Sequence, residues 1–303
     1  MSAKLHPPTI LLLFALAPLL IGCRPQPAHP DIGVRATEFP TNVIAYEVRG
    51  ILREIRGGGT KTLIAHEEIP GYMEAMTMQL DVRDTNELAG VSAGDQITFR
   101  LLTTDDDAWI DRVKRTGLRF TIEPNPISDE PTDDELPIGA PLPDFTLTNH
   151  LGQAFRLSDF KGRALAFTFI FTRCPLPTFC PRMSGNFSIT HRRLLEDASH
   201  TNWHLLSISF DPEYDTPGQL ATYSRTYQPH SNHWSFATSS PDIIRKLGTA
   251  FGLAFIQDGA TFNHNVRTVV VNPAGRIHRI FPGNEWQPTE LIAEMKTAMQ
   301  TRP

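Results

Sequence analysis

The apolar positions divide the chain into stretches of different rhythm. Behind Lys4, residues 10–21 form one unbroken apolar run, too short to span a bilayer comfortably. Residues 24–41 lose that pattern and carry Pro25, Pro27, Pro30 and Pro40 among polar side chains, the composition of a tether. From residue 43 to 121 short apolar segments alternate with polar residues and tight turns, which predicts strands. These are 46–55 with a bulge expected at Gly50, 61–66 after the Gly57, Gly58, Gly59 turn, 76–82, 96–102 and 108–113, the last two joined through Asp105, Asp106 and Asp107. Five such strands predict a small closed barrel of the OB type.

Residues 122–138 are acidic and interrupted by four prolines, with few side chains that could fill a core, so they read as an interdomain linker. Beyond residue 139 the rhythm changes to strands alternating with helices. Segments 145–148 and 154–157 flank a turn at Gly152, and the apolar run 164–171 predicts a buried strand. A helix is expected over 183–197 with Phe187, Leu194 and Leu195 facing inward, followed by a buried strand at 203–210. Further helices are expected at 216–228, started by Thr216 and Pro217, and at 241–251. A hairpin over 267–281 turning at 273–275 and a terminal helix at 289–299 complete the series. That order is the thioredoxin order with N-terminal additions. The expected architecture is therefore a two-domain chain, a small all-β OB-like barrel at 42–121 followed by an α/β thioredoxin-like domain at 139–303.

Composition narrows the partners. The chain has 303 residues, 40% of them hydrophobic, enough for two folded domains, and a formal charge of -5 with Lys and Arg scattered along it. No basic stripe exists for nucleic acid to bind. There are three cysteines. The first, Cys23, follows Leu20, Ile21 and Gly22, and this segment resembles the bacterial lipobox. The resemblance makes 1–22 a lipoprotein signal peptide and Cys23 the diacylated first residue of a mature protein, anchored to a bacterial membrane and facing the periplasm. In that oxidising space Cys174 and Cys180 pair unless something keeps them reduced or metallated.

Cys174 and Cys180 lie in a loop between the apolar strand and a helix opened by Pro181, where free N–H groups and the helix dipole favour thiolates. Such a loop can hold a redox pair, a soft metal or a plain disulfide. Three motifs bear on the choice: FTRCPLPTFCP around the cysteines, SISFDPEYDTP at 207–217 and HNVRTVVVNPAGRI at 264–277. Together they resemble the Sco/SenC family, thioredoxin-fold proteins of copper delivery to cytochrome c oxidase. The resemblance implies Cys174, Cys180 and His264 as ligands of copper, as Cu(I) or Cu(II), and a cytochrome c oxidase subunit or another copper protein as partner. Two thiolates and one imidazole suit Cu(I), whereas structural zinc wants a fourth strong ligand. There is no proline from 259 to 272, where a thioredoxin-type reductase carries its cis-proline. The family motif has three residues between its cysteines; here Pro175, Leu176, Pro177, Thr178 and Phe179 make five. Asp211 is read as facing the site and Asp215 as a helix cap, neither as a ligand. Met183 reads as packing, and His191, His204, His230, His233 and His278 as surface or satisfied residues.

The barrel has chemistry of its own. Met76 and Met78 are two apart in a strand, so they share a face, and His66 ends the strand before them. An imidazole with two thioethers prefers Cu(I) or Ag(I). This segment resembles the CusF-type periplasmic copper-binding barrel, with Met73 at the position of that family's tryptophan, either as a third sulfur or as packing. The expectation is a lipid-anchored extracytoplasmic copper chaperone for oxidase assembly. Its competitor is a thiol–disulfide oxidoreductase in which one of Cys174 and Cys180 attacks and the other resolves. A peroxidase would need a P-x-x-x-T-x-x-C arrangement, which the loop lacks.

Overall fold

Strict alternation of buried and half-buried residues along the third strand gives the barrel its inside. In the computed structural model, which describes residues 42–227, 232–259 and 261–301, five strands are arranged in the order β1-β2-β3-β5-β4. They are β1 (Ile44–Arg56), β2 (Lys61–His66), β3 (Met76–Val82), β4 (Asp95–Thr103) and β5 (Ala108–Arg119). β3 turns Met76, Met78, Leu80 and Val82 inward. The ring of pairings returns on itself and is thinnest between β3 and β5, which share Asp81↔Trp109 and Val82↔Ile110 in parallel.

β1 pairs with both β2 and β4. Its register shifts between Leu52 and Glu54, so the bulge lies there and not at Gly50. Gly50 has a different purpose: a Cβ would sit 2.7 Å from the Ala65 carbonyl oxygen and 2.7 Å from Ile64 Cγ2. Gly57, Gly58 and Gly59 take φ of +55°, +64° and +97°, a left-handed run that glycine adopts at least cost.

The second domain contains β6 (Thr146–Asn149), β7 (Ala154–Arg156), β8 (Ala164–Ile170), α1 (Cys180–Glu196), β9 (Trp203–Ser209), α2 (Pro217–Tyr227), β10 (Trp234–Thr238), α3 (Pro241–Ala250), β11 (Phe255–Asp258), β12 (Thr261–His264), β13 (Arg267–Val271), β14 (Ile277–Pro282) and α4 (Pro288–Met299). Seven strands form a sheet in the order β14-β13-β8-β9-β10-β6-β7, and β11 with β12 forms a separate hairpin. β8 and β9 are parallel neighbours and buried at every residue, as expected of central strands covered on both faces. This is the thioredoxin-like arrangement, with β10 and the β11–β12 hairpin added to the elements expected from the sequence.

On α1 the inner face is Cys180, Met183, Phe187, His191 and Leu194. Leu195 is 50% exposed, contrary to expectation, because one residue beyond Leu194 turns the side chain about 100° away from the core.

Residues 122–138 contain no helix or strand, yet they are packed on the second domain. Ile127 is buried, Leu136 N–H donates to the Ala250 carbonyl at 2.9 Å, and Asn265 Nδ2 donates to the Ser128 carbonyl at 2.6 Å. The anchor is Arg267, 1% exposed, whose guanidinium donates to the Asp129 carbonyl at 2.9 Å and pairs with the Asp129 carboxylate at 3.3 Å. Residues 1–22, the tether 23–41 with Cys23, and His230 lie outside the described residues. Among the described residues, no helix is long and apolar enough to cross a membrane.

Candidate metal centres

β8 delivers the cysteine loop to the end of the central sheet. Thr172 is held there by the buried carboxylate of Asp215, which accepts from Thr172 N–H at 3.0 Å, from Thr172 Oγ1 and from Ser209 Oγ at 2.5 Å. Asp215 thus ties the exits of β8 and β9 together and does not cap α2; that helix is capped by Thr216, whose Oγ1 accepts from Gln219 N–H at 3.4 Å. Asp211 is engaged by Arg173 at 2.7 Å, and the Arg173 guanidinium lies 4.2 Å from the centre of the Tyr214 ring. The residue beside Cys174 is therefore a fixed cation, and Asp211 is its counter-ion.

β13 brings the histidine. It runs antiparallel to β8 with Thr268 opposite Thr168, so the residues preceding β13 lie beside those following β8. His264, the last residue of β12, consequently arrives next to Cys174. Its ring is surrounded by Phe171, Phe210 and Phe179, with centroids 5.5, 5.1 and 5.7 Å away. Nδ1 lies 2.6 Å from the Asn265 carbonyl, a bond that fixes the ring and leaves Nε2 for another partner.

The two thiols are free, Cys174 half-buried and Cys180 buried. Burial pushes the Cys174 thiol up, but hydrogen bonding with the Cys180 thiol and the His264 ring, together with the ring's charge, outweighs it and brings Cys174 down to about 5. Burial, reinforced by the Cys174 sulfur, pushes Cys180 well above the ordinary thiol range. The helix start, expected to favour a thiolate at both cysteines, does not do so at Cys180, where loss of water dominates. Among the described residues no three Cys, His, Asp or Glu side chains stand together closely enough to hold a metal ion. Cys174 is the member that meets both others, and the donor set of two sulfurs and one imidazole fits Cu(I).

In the barrel, His66 stands directly across from Met76, and Ile64 across from Met78. All three candidate donors are buried. His66 repeats the arrangement of His264: Nδ1 is 2.6 Å from the Glu67 carbonyl, while Nε2 is buried with no hydrogen-bond partner. Burial lowers the pKa of the ring, which favours its neutral form, and Met76 is its neighbour across the ladder. Buried polar atoms are rarely left unpaired, and an orphaned imidazole nitrogen next to Met76 fits a soft cation. Met73 is buried in the barrel core beside Met76 and Met78.

The two sites adjoin. Leu176, from the middle of the cysteine loop, is seated in the barrel core, and Cys174 and Phe179 pack against the cores of both domains. Tyr72 Oη donates to the Pro175 carbonyl at 3.2 Å, Thr77 N–H donates to Asp258 Oδ2 at 2.8 Å, and Lys61 pairs with Glu285 at 2.5 Å. A single cavity is lined by Met76 and Met78 on one side and by Cys174, Phe179 and His264 on the other. Sequence reasoning did not find Leu176, Tyr72 or Asp258. The available signal was the loop's two extra residues, with a leucine held between two prolines.

Comparison with known proteins follows the same division. The SCO1/SenC family model matches residues 137–300, just over half of the chain, and that of the copper binding periplasmic protein CusF matches residues 45–115. The SCO1 protein homolog of Bacillus subtilis (strain 168) is 27% identical over 167 residues, covering 54% of this chain and 84% of that protein. Protein sco1 of Schizosaccharomyces pombe is 26% identical over 152 residues, covering 46% of this chain and 54% of its own. Among solved structures, Bradyrhizobium japonicum ScoI with copper bound is 27% identical, with a TM-score of 0.44 and coverage of 54% of this chain and 100% of that one.

Proposed function

The chain belongs to the SCO1/SenC family, and from that premise we propose that it is a lipid-anchored, extracytoplasmic copper-binding protein that delivers copper during cytochrome c oxidase assembly. The observation that carries this reading is that Cys174 and His264 line one cavity at the end of the central sheet, with Cys180 buried at the start of α1 beside it. Copper is the cargo. Cys174 and Cys180 would hold it through their thiolates and His264 through Nε2, with Asn265 fixing the ring and the three phenylalanines keeping water away. A second copper would be held in the barrel by His66, Met76 and Met78. The leader at 1–22 and Cys23 support a periplasm-facing lipid anchor, and the CusF match supports the same compartment. The partner of this reading is a copper protein such as an oxidase subunit.

Anaerobic Cu(I) titration of the reduced full-length protein tests the assignment. Up to two copper ions per chain are expected, and a Cys174→Ser, His264→Ala double variant should lose one. Full loading in that variant would remove the cysteine site from consideration.

A second reading is favoured by one observation, the opposite shifts of the two thiols. In a thiol–disulfide exchange the Cys174 thiolate would attack a partner's disulfide, forming a mixed disulfide and releasing one partner thiolate. Cys180, on losing its proton, would then attack Cys174 Sγ, closing the Cys174–Cys180 disulfide and releasing the second partner thiol. A mixed disulfide trapped by Cys180→Ser, with reductase activity that survives His264→Ala, would favour this reading over copper delivery.

A further inference from the structure

Met76 belongs to two cavities at once. One is the cavity that contains His66, Ala65 and Asp258; the other is lined by Met78, Cys174, Phe179 and His264. Its neighbour across the ladder is His66, whose Nε2 is buried without a partner. A soft ion held by His66 and Met76 would therefore already share a ligand with the space that opens on Cys174.

We propose that the barrel is the internal copper donor of this chain, and that Met76 carries Cu(I) directly from His66 to Cys174 across the docked domain interface. The proposal rests on the copper reading of both sites given above. Three observations support it. The domains are docked at the place where transfer would occur, through Leu176 in the barrel core, the Tyr72 bond to Pro175 and the Asp258 bond to Thr77. The residues lining the shared cavity include Met76 and Met78 of the barrel as well as Cys174 and His264, so candidate donors of both sites border one space among apolar side chains. Finally, the direction follows from charge: a thiolate neutralises Cu(I), whereas imidazole and thioethers are neutral, so the cysteine site is the stronger one.

In the exchange copper remains Cu(I). A bond from copper to Cys174 Sγ forms as the bond to His66 Nε2 breaks, while Met76 Sδ stays bound on both sides of that step. Cys180 then gives its proton to water, and its sulfur with His264 Nε2 displaces the thioethers. No electron is gained or lost. The two extra residues of the cysteine loop acquire a role in this scheme, because they bring Leu176 into the barrel and hold Cys174 at the cavity wall.

The experiment uses the full-length protein under anaerobic conditions. Its cysteines are first closed as the disulfide, one equivalent of Cu(I) is added to load the barrel, and a phosphine reductant then releases the thiols. Arrival of copper is followed by thiolate-to-copper absorbance, and the change of ligands by X-ray absorption. The proposal expects a rate that does not change on tenfold dilution of the protein. Met76→Leu should slow the step at least tenfold. Asp258→Ala, which loosens the docking and leaves every proposed ligand in place, should slow it as well and make it depend on protein concentration. A wild-type rate that scales with concentration, or wild-type rates in both variants, would overturn the proposal while leaving the two copper sites intact. If the disulfide form binds no Cu(I), or the reduced form shows no thiolate-bound copper, the copper reading of that site fails and the internal route fails with it.

Discussion

Cys174 and Cys180 stand at the two ends of one loop, and their thiols are shifted in opposite directions, Cys174 down to about 5 and Cys180 well up. Both are withdrawn from water, but Cys174 has the His264 ring and the Cys180 thiol to stabilise its charge, while Cys180 faces the charge that results. At neutral pH the pair is one thiolate and one thiol. Alkylation of the reduced protein by iodoacetamide should therefore occur first at Cys174, with a rate half-maximal near pH about 5 and flat above neutrality. Cys180 should stay unmodified in the native state. In His264→Ala the midpoint should move up, read by mass spectrometry across a pH series.

Leu176 couples the cysteine loop to the barrel. It is 3% exposed and surrounded by barrel side chains. Leu176→Ala should cost about 2–5 kcal/mol, the usual range for a buried leucine truncated to alanine. Urea unfolding gives the magnitude, and the loss should appear as earlier unfolding of the barrel relative to the second domain. A barrel of unchanged stability would contradict the seating of this residue.

Arg267 is the buried cation that fastens residues 122–138 to the second domain, through Asp129 and Glu135. Arg267→Met removes the donor to the Asp129 carbonyl and the counter-ion of a half-exposed Asp129 and a largely buried Glu135, and should cost about 1–3 kcal/mol. Limited proteolysis should then cut within 122–138, a segment expected to resist in the parent protein. Equal protease resistance in both would argue against the clamp.

His204 makes stability depend on pH. It stacks on Phe160 at 4.6 Å, accepts or donates one hydrogen bond with Ser235 Oγ at 3.0 Å, and burial, aided by the Arg163 charge, lowers it to about 3. The folded pKa lies below the unfolded value, so the unfolded chain binds the proton more tightly. The stabilisation is complete above about pH 6.5 and is lost as pH falls towards 3, at on the order of 1.4 kcal/mol per pH unit. Denaturant midpoints at pH 7.5, 6 and 5 should decline accordingly, and His204→Gln should flatten the decline. His191, lowered to about 4 by burial and the neighbouring His233, adds to the slope in the same sense.

Much of this protein is written in local pattern. The strand alternation of Met76 to Val82, the apolar run of β8, the proline-started helices and the two families of motif are all carried by residues close in sequence, and local periodicity reports which face of an element is buried. Cys174, Cys180, His264, His66, Met76 and Met78 are legible as candidate donors because their side-chain chemistry is unusual at those spacings. What local pattern does not carry is the pairing of distant segments. The placement of His264 beside Cys174 depends on the register of β13 against β8, and the β11–β12 hairpin that supplies it is short, partly exposed and without a clear period. An acidic, proline-rich segment looks like a free linker until the buried Arg267 that binds it is seen. Likewise the five-residue spacing of the cysteines reads only as a departure from a motif, because its purpose, Leu176 in the core of another domain, is a contact between residues about a hundred positions apart in the chain. Tertiary packing alone decided that contact, the opposite acidities of the two cysteines and the cavity that joins Met76 to Cys174, since each arises from burial and proximity that no single stretch of sequence contains.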